Sequence, residues 1–126
     1  MGLGSYKVTP AVAVSDMAKA KEFYEGKLGL SGGEDISDGG HTYPAGEGTE
    51  IHIYPSSDAG ESSATLCFFD VGDVDSVVDE LSENGVTFEQ YDQEGLKTNE
   101  KGIAEFEDDK VAWFKDPDGN VLAVGD

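Results

Sequence analysis

In 126 residues the chain carries 27 acidic residues against eight lysines and no arginine, a formal charge of −19. That balance argues against nucleic acid, whose phosphates need neutralising, and against anionic membrane surfaces as partners. The length makes one domain with room for a real core, and the acidic shell suits a halophilic source, where counter-ions screen self-repulsion.

The first predicted element is a strand over residues 8–14. Val8, Pro10, Val12 and Val14 fall on one face, and Thr9, Ala11 and Ala13 on the other. Pro10 removes a ladder donor and so marks an edge or a bulge. Asp16 is a good N-cap for a helix over residues 17–28, with Met17, Ala20, Tyr24 and Leu28 as its apolar stripe and Gly29 as its end. Short strands follow over residues 30–36, 41–45 and 50–54. Residues 56–63, PSSDAGESS with Pro55, have linker composition.

After the linker the order restarts. Residues 65–71 read as a strand. Asp73 caps a second helix with Val74, Val77, Val78 and Leu81 inward, and Gly85 closes it. Residues 86–91 read as a strand, and residues 92–109 as a long polar connection with the length of a lid, in which Ile103-Ala104-Glu105-Phe106 is open to brief pairing. Lys110–Lys115 and Val121–Val124 flank Asp116-Pro117-Asp118-Gly119-Asn120, a hairpin turn. In the last run Leu122 and Val124 share one face, and Val121, Ala123 and Gly125 the other. One face is bulky and the other nearly empty, as a sheet curving around a ligand requires.

Gly48–Tyr54 laid over Gly119–Gly125 puts His52 on Ala123, while Val14 falls on Val71 and Asp16 on Asp73. The chain is therefore a repeat: module one over about 5–55, linker 56–63, module two over about 64–126. Each half is strand, helix, then three strands, too small to bury both faces of its own sheet. The fold expected is α+β. Two βαβββ modules share a curved, cup-shaped mixed β-sheet with the helices on its outer face.

The words Val12-Ala13-Val14-Ser15-Asp16, Phe23-Tyr24 with Leu28-Gly29-Leu30, and Phe114-Lys115-Asp116-Pro117-Asp118-Gly119-Asn120, joined by the repeat, resemble the vicinal oxygen chelate superfamily. That superfamily includes glyoxalase I, bleomycin-resistance proteins, fosfomycin-modifying enzymes and extradiol dioxygenases. The stretch from Tyr91 to Thr98, followed by Ala112–Asp116, looks like a branch with no assigned substrate. In metal-using members four inward His or Glu positions hold a divalent ion that polarises the substrate's vicinal oxygens. The resemblance carries those positions onto Thr9, His52, Leu66 and Ala123. Only His52 can ligate, and one imidazole does not hold a catalytic ion, since open sites keep about three protein ligands. No metal and no other cofactor is expected.

The pocket-lining residues expected are Thr9, Ala11, Tyr43, His52, Leu66, Phe68, Trp113 and Ala123, a largely apolar cup for a small apolar ligand. Trp113 and Tyr43 are placed to stack on it, although Trp113 packs equally well under a helix on sequence alone. His52 is the best catalytic candidate, against the plainer reading of a pocket histidine bonded to a neighbour. Glu50, Tyr54 and Asp70 fall on the same inward parity. His41, in a glycine turn, is expected exposed, and the single Cys67 is expected as a small core residue.

The leading function is metal-free binding of a small molecule, in the bleomycin-resistance style, by a homodimer implied by the resemblance. One alternative is a glyoxalase-like lyase or isomerase using His52. The other is a structural or regulatory module with a filled cup. No apolar N-terminal leader and no run of membrane-spanning length is visible, so the cytoplasm is the expected location.

Overall fold

Two aspartates start the two helices. The Asp16 carboxylate accepts from the backbone N–H groups of Ala18 and Lys19, and Asp73 accepts from Ser76. The computed structural model describes residues 2–126. In it helix α1, Met17–Lys21, runs on into π-helical turns over Glu22–Lys27. In these wider turns the neighbours Phe23 and Tyr24 are both buried. Helix α2 spans Val74–Glu83, with Val74, Val78 and Leu81 inward.

The strands form two four-stranded sheets. In the first, β1 (Ala11–Val14) pairs in parallel with β4 (Glu50–Pro55). That strand is followed by antiparallel β3 (His41–Pro44) and β2 (Glu34–Asp35). In the second, β5 (Thr65–Asp70) pairs in parallel with β10 (Val121–Gly125), followed by antiparallel β9 (Asp109–Lys115) and β8 (Ile103–Phe106). The two orders are the same.

So are the registers. Ala11 lies beside His52 as Phe68 lies beside Ala123, and Val12 beside Ile53 as Phe69 beside Val124. Ala13 lies beside Tyr54 as Asp70 beside Gly125. The repeat read from sequence is thus a repeat of hydrogen-bonded ladders. The architecture is α+β, with two βαβββ modules making one cupped, unclosed layer.

The helices cover one face of both sheets. Val12, Val14, Ile51, Ile53, Cys67, Phe114, Leu122 and Val124 bury there against Ala20, Phe23, Tyr24, Val74, Val78 and Leu81 in one continuous core. The modules are knotted by the turn after β9. Asn120 Nδ2 donates to the carbonyl of Ala13, and Ser15 donates its backbone N–H and its hydroxyl to Asp118.

Four boundaries differ from expectation; one is the strand expected over residues 30–36, which is only the two residues Glu34–Asp35 of β2. The first strand begins at Ala11 and leaves Val8 79% exposed, because Pro10 offers no ladder donor. Residues 86–91 make only an isolated bridge, Phe88 to Phe114. The fourth strand of the second module is instead β8, the stretch Ile103–Phe106 expected to pair only briefly. The polar connection also holds a small hairpin, β6 (Asp92–Gln93) with β7 (Leu96–Lys97).

Candidate functional site

Alternation along the strands decides what the inner face carries. Across the second module, Phe68, Ala123 and Trp113 stand in one row, and Asp70, Gly125 and Val111 in the next. Phe68 is 53% exposed, and its ring lies over Gly125. A Cβ on that glycine would stand 2.5 Å from Phe68 Cζ, so the glycine makes the space the ring occupies.

Trp113 meets Tyr91 edge-to-face, with ring centroids 5.6 Å apart, and Phe106 edge-to-face at 6.5 Å. Phe106 itself is 42% exposed. Edge-to-face contact is a favourable aromatic geometry, and it fixes the indole plane without covering both its faces. Four rings, from β5, β8, β9 and the segment before β6, gather on one wall.

The first module supplies a smaller, more polar wall. Ala11, His52 and Thr42 form one row, and Ala13 and Tyr54 the next. The rings of His52 and Tyr54 lie 5.7 Å apart. His52 Nε2 stands 3.1 Å from Asp38 Oδ2. The atom is buried and the approach is off the hydrogen-bonding line, so Asp38 faces it as a charge rather than as an aligned acceptor. Gly40 sits beside it, with no room for a Cβ.

The expected site residues separate under this geometry. Ala11, His52, Phe68 and Trp113 face the cup. Thr9 is exposed and precedes β1; the residue beside His52 is Ala11. Leu66, 40% exposed, falls where the ladder slips between Val121 and Leu122.

Tyr43 is a correction. It is fully buried beside Ile51, and its hydroxyl donates to Glu25 at 2.7 Å, so it faces the helices and not the cup. The pairing of β3 with β4 puts Thr42 next to His52, one residue away from the expected stacking partner. Ala123 is a second correction. It faces inward but is 1% exposed, closed in between Phe68 and Trp113, so it is no open floor. His41, expected exposed, is half-buried, with Nδ1 2.8 Å from Asp35 Oδ1 and Nε2 2.9 Å from the Gly32 carbonyl.

Sequence reading missed Tyr91 and Phe106 as cup residues. The signal for Phe106 was the short acidic turn Glu107-Asp108, which sets it opposite Asp109 and on the face of Trp113. Nothing local marked Tyr91.

The positions that the resemblance carries over as ion ligands hold a threonine, a histidine, a leucine and an alanine, and the histidine turns its Nε2 to Asp38. Among the described residues no group of three His, Cys, Asp or Glu stands where it would hold a metal ion. These residues do not fit a resident catalytic metal.

A hollow of about 380 Å³ lies at the seam of the modules, lined by Val8, Pro10, Glu50, Ile51, Phe68 and Asp70 among others. A cleft of about 210 Å³ lies on the helix-bearing side, between Leu28–Leu30 and α2, and shares Phe69 and Val71 with the hollow. Ala11 and Ala123 line neither.

A family model described as Glyoxalase/Bleomycin resistance protein/Dioxygenase superfamily matches residues 8–124. No curated protein matches. Among solved structures, TnmS3, an antibiotic binding protein from Streptomyces sp. CB03234, is 26% identical with a TM-score of 0.71, covering 95% of this chain and 93% of that one. A glyoxalase/bleomycin resistance protein from the same organism is 25% identical with a TM-score of 0.71, covering 96% and 100%. A glyoxalase family protein from Bacillus anthracis has a TM-score of 0.75 at 19% identity, covering 96% and 93%, a likeness of fold alone.

Proposed function

The chain belongs to the glyoxalase/bleomycin resistance protein/dioxygenase superfamily, and from that premise we propose that it binds a small, largely apolar molecule in the cup and sequesters or carries it without a catalytic metal. The observation that carries the reading is Trp113, held edge-on by Tyr91 and Phe106 beside a half-exposed Phe68. A wall of rings whose faces stay open favours a flat aromatic ligand. The antibiotic-binding description of a 26% identical structure supports the same reading. The residues at the four ligand positions support binding without a resident ion.

In this reading residues 1–126 act as one two-module domain, in the cytoplasm, as a homodimer. The exposed Leu3, Tyr6 and Val8 support self-association. No helix of the described residues is long and apolar enough to cross a membrane.

Trp113 is the one tryptophan, so intrinsic fluorescence reports the cup directly. Titration with a neutral planar aromatic dye is expected to quench it saturably. Prior treatment with a chelator is expected to leave the affinity unchanged. Absence of saturable quenching overturns the binding reading, and loss of binding on chelation overturns its metal-free form.

A further inference from the structure

The cleft on the helix-bearing side belongs to no part of the cup. Leu28 and Leu30 of the first module form one wall, and Val77 and Leu81 of α2 the other. Phe69, Phe114 and Val124 of the second sheet make the floor. The floor residues alternate along their strands with the cup residues Phe68, Trp113 and Ala123, so one layer of sheet separates the cleft from the aromatic wall. Only Phe69 and Val71 also line the hollow at the seam of the modules.

The polar side chains of the lining are Glu80 and Asn84. The Asn84 amide is already committed to the Lys27 carbonyl, at 3.3 Å. Glu80, exposed at the edge of the cleft, repels anions. Space of about 210 Å³ walled by leucine, valine and phenylalanine exceeds the roughly 150 Å³ apolar cavity that stays dry and takes up benzene. The cleft is open at one side, so a ligand needs no unfolding to enter.

We propose that this cleft is a second binding site, for a small neutral apolar molecule of one or two rings. The two modules close on the ligand from either side. Water in the cleft finds few polar partners, and an apolar ring displaces it without leaving a hydrogen bond unmade. The site stands independently of what the cup binds.

The test is methyl NMR of the full chain, labelled at leucine, valine and alanine and titrated with fluorobenzene. Leu30, Val77, Leu81 and Val124 methyls are expected to shift together and saturate. Ala11 and Ala13 report the cup separately. Val77→Phe fills the cleft and is expected to abolish the shifts of the other cleft methyls. Leu30→Ala removes one wall and is expected to weaken binding about tenfold, the loss for stripping part of a leucine's burial. It decides the matter if Val77→Phe fails to fold. Cleft methyls that do not shift, shifts that persist in folded Val77→Phe, or unchanged affinity in Leu30→Ala each overturn the proposal.

Discussion

The phenol of Tyr24 donates a 2.8 Å hydrogen bond to the buried carboxylate of Asp116, tying the first helix to the last hairpin across the whole chain. The same carboxylate accepts from the Asn120 side chain and from the backbone N–H groups of Asp118 and Asn120. Asn120 in turn reaches Ala13. Burial first, and then the Asp116 charge, push the Tyr24 phenol above its ordinary range, so it remains a donor. A bond to a buried charge contributes about 1.5–3 kcal/mol. Tyr24→Phe is expected to lose about that much in urea unfolding, with little change in fold. A variant as stable as wild type would show that the backbone and Asn120 donors satisfy Asp116 alone.

Gly125 makes room for the ring of Phe68, and the atoms a new Cβ would strike first are the far end of that flexible side chain. The Lys110 carbonyl, at 3.1 Å, is the next obstacle. Gly125→Ala is therefore expected to swing Phe68 away at a cost of about 1 kcal/mol or less, while changing the wall that Trp113 shares. Thermal melting and Trp113 quenching measure the two effects apart. A large drop in stability with unchanged quenching would mean that the backbone, not the ring, gave way.

How much of this was legible depended on whether the deciding contact was local. The alternation of Ala11, Val12, Ala13 and Val14 identified inner and outer faces, because period two is set by the backbone alone. Asp16 and Asp73 announced both helices for the same reason. His-Thr-Tyr-Pro in β3 gave no such signal, since both its faces carry mixed side chains. Its facing is decided by β4, and so Tyr43 turned to the helices. The turn Asp116–Asn120 was readable as a hairpin, but its role as a knot was not, because Ala13, Ser15 and Tyr24 lie at the other end of the chain. Of the aromatic wall, Phe68 followed from strand parity, whereas Trp113 was left open between cup and helix until the pairing of β9 with β10 set it beside Ala123. Tyr91 arrives from a polar segment that has no period to read.

Asp75 joins α2 to the second sheet through Lys110, at 2.7 Å, and Lys101, at 3.4 Å. The hydrogen bond from Lys110, chiefly, holds its carboxyl below the ordinary range. A lowered folded-state pKa means that the contribution is complete above the unfolded carboxylate value, about pH 4, and is lost as pH falls through the lowered folded value. The stability difference between wild type and Asp75→Asn is therefore expected to be constant from neutral pH down to about 4 and to vanish below it. The pairs are exposed, so the difference is small and shrinks with salt. A difference that grew toward acid would reverse the assignment.

The last expectation concerns the charge itself. Among the described residues six of the eight lysines already sit in ion pairs, at Glu50, Asp35, Asp92, Asp75 with Asp79, Asp75 again, and Glu89. With 27 acidic residues in the chain, most carboxylates have no cation to meet, and folding brings them closer together. Two opposed effects of salt follow. Screening weakens the ion pairs, but exposed pairs contribute only about 0–1 kcal/mol each. Screening also cuts the repulsion among the unpaired carboxylates, as the Debye length falls from about 10 Å at 0.1 M to about 3 Å at 1 M. With a net charge of −19 the second effect wins. Melting temperature is expected to climb steadily with sodium chloride. A variant with Asp58, Glu61, Glu94 and Glu107, all exposed and none in an ion pair among the described residues, changed to their amides should melt higher at low salt and climb less. Equal slopes for the two proteins would place the salt effect in something other than carboxylate repulsion, and a falling slope would mean the ion pairs outweigh it.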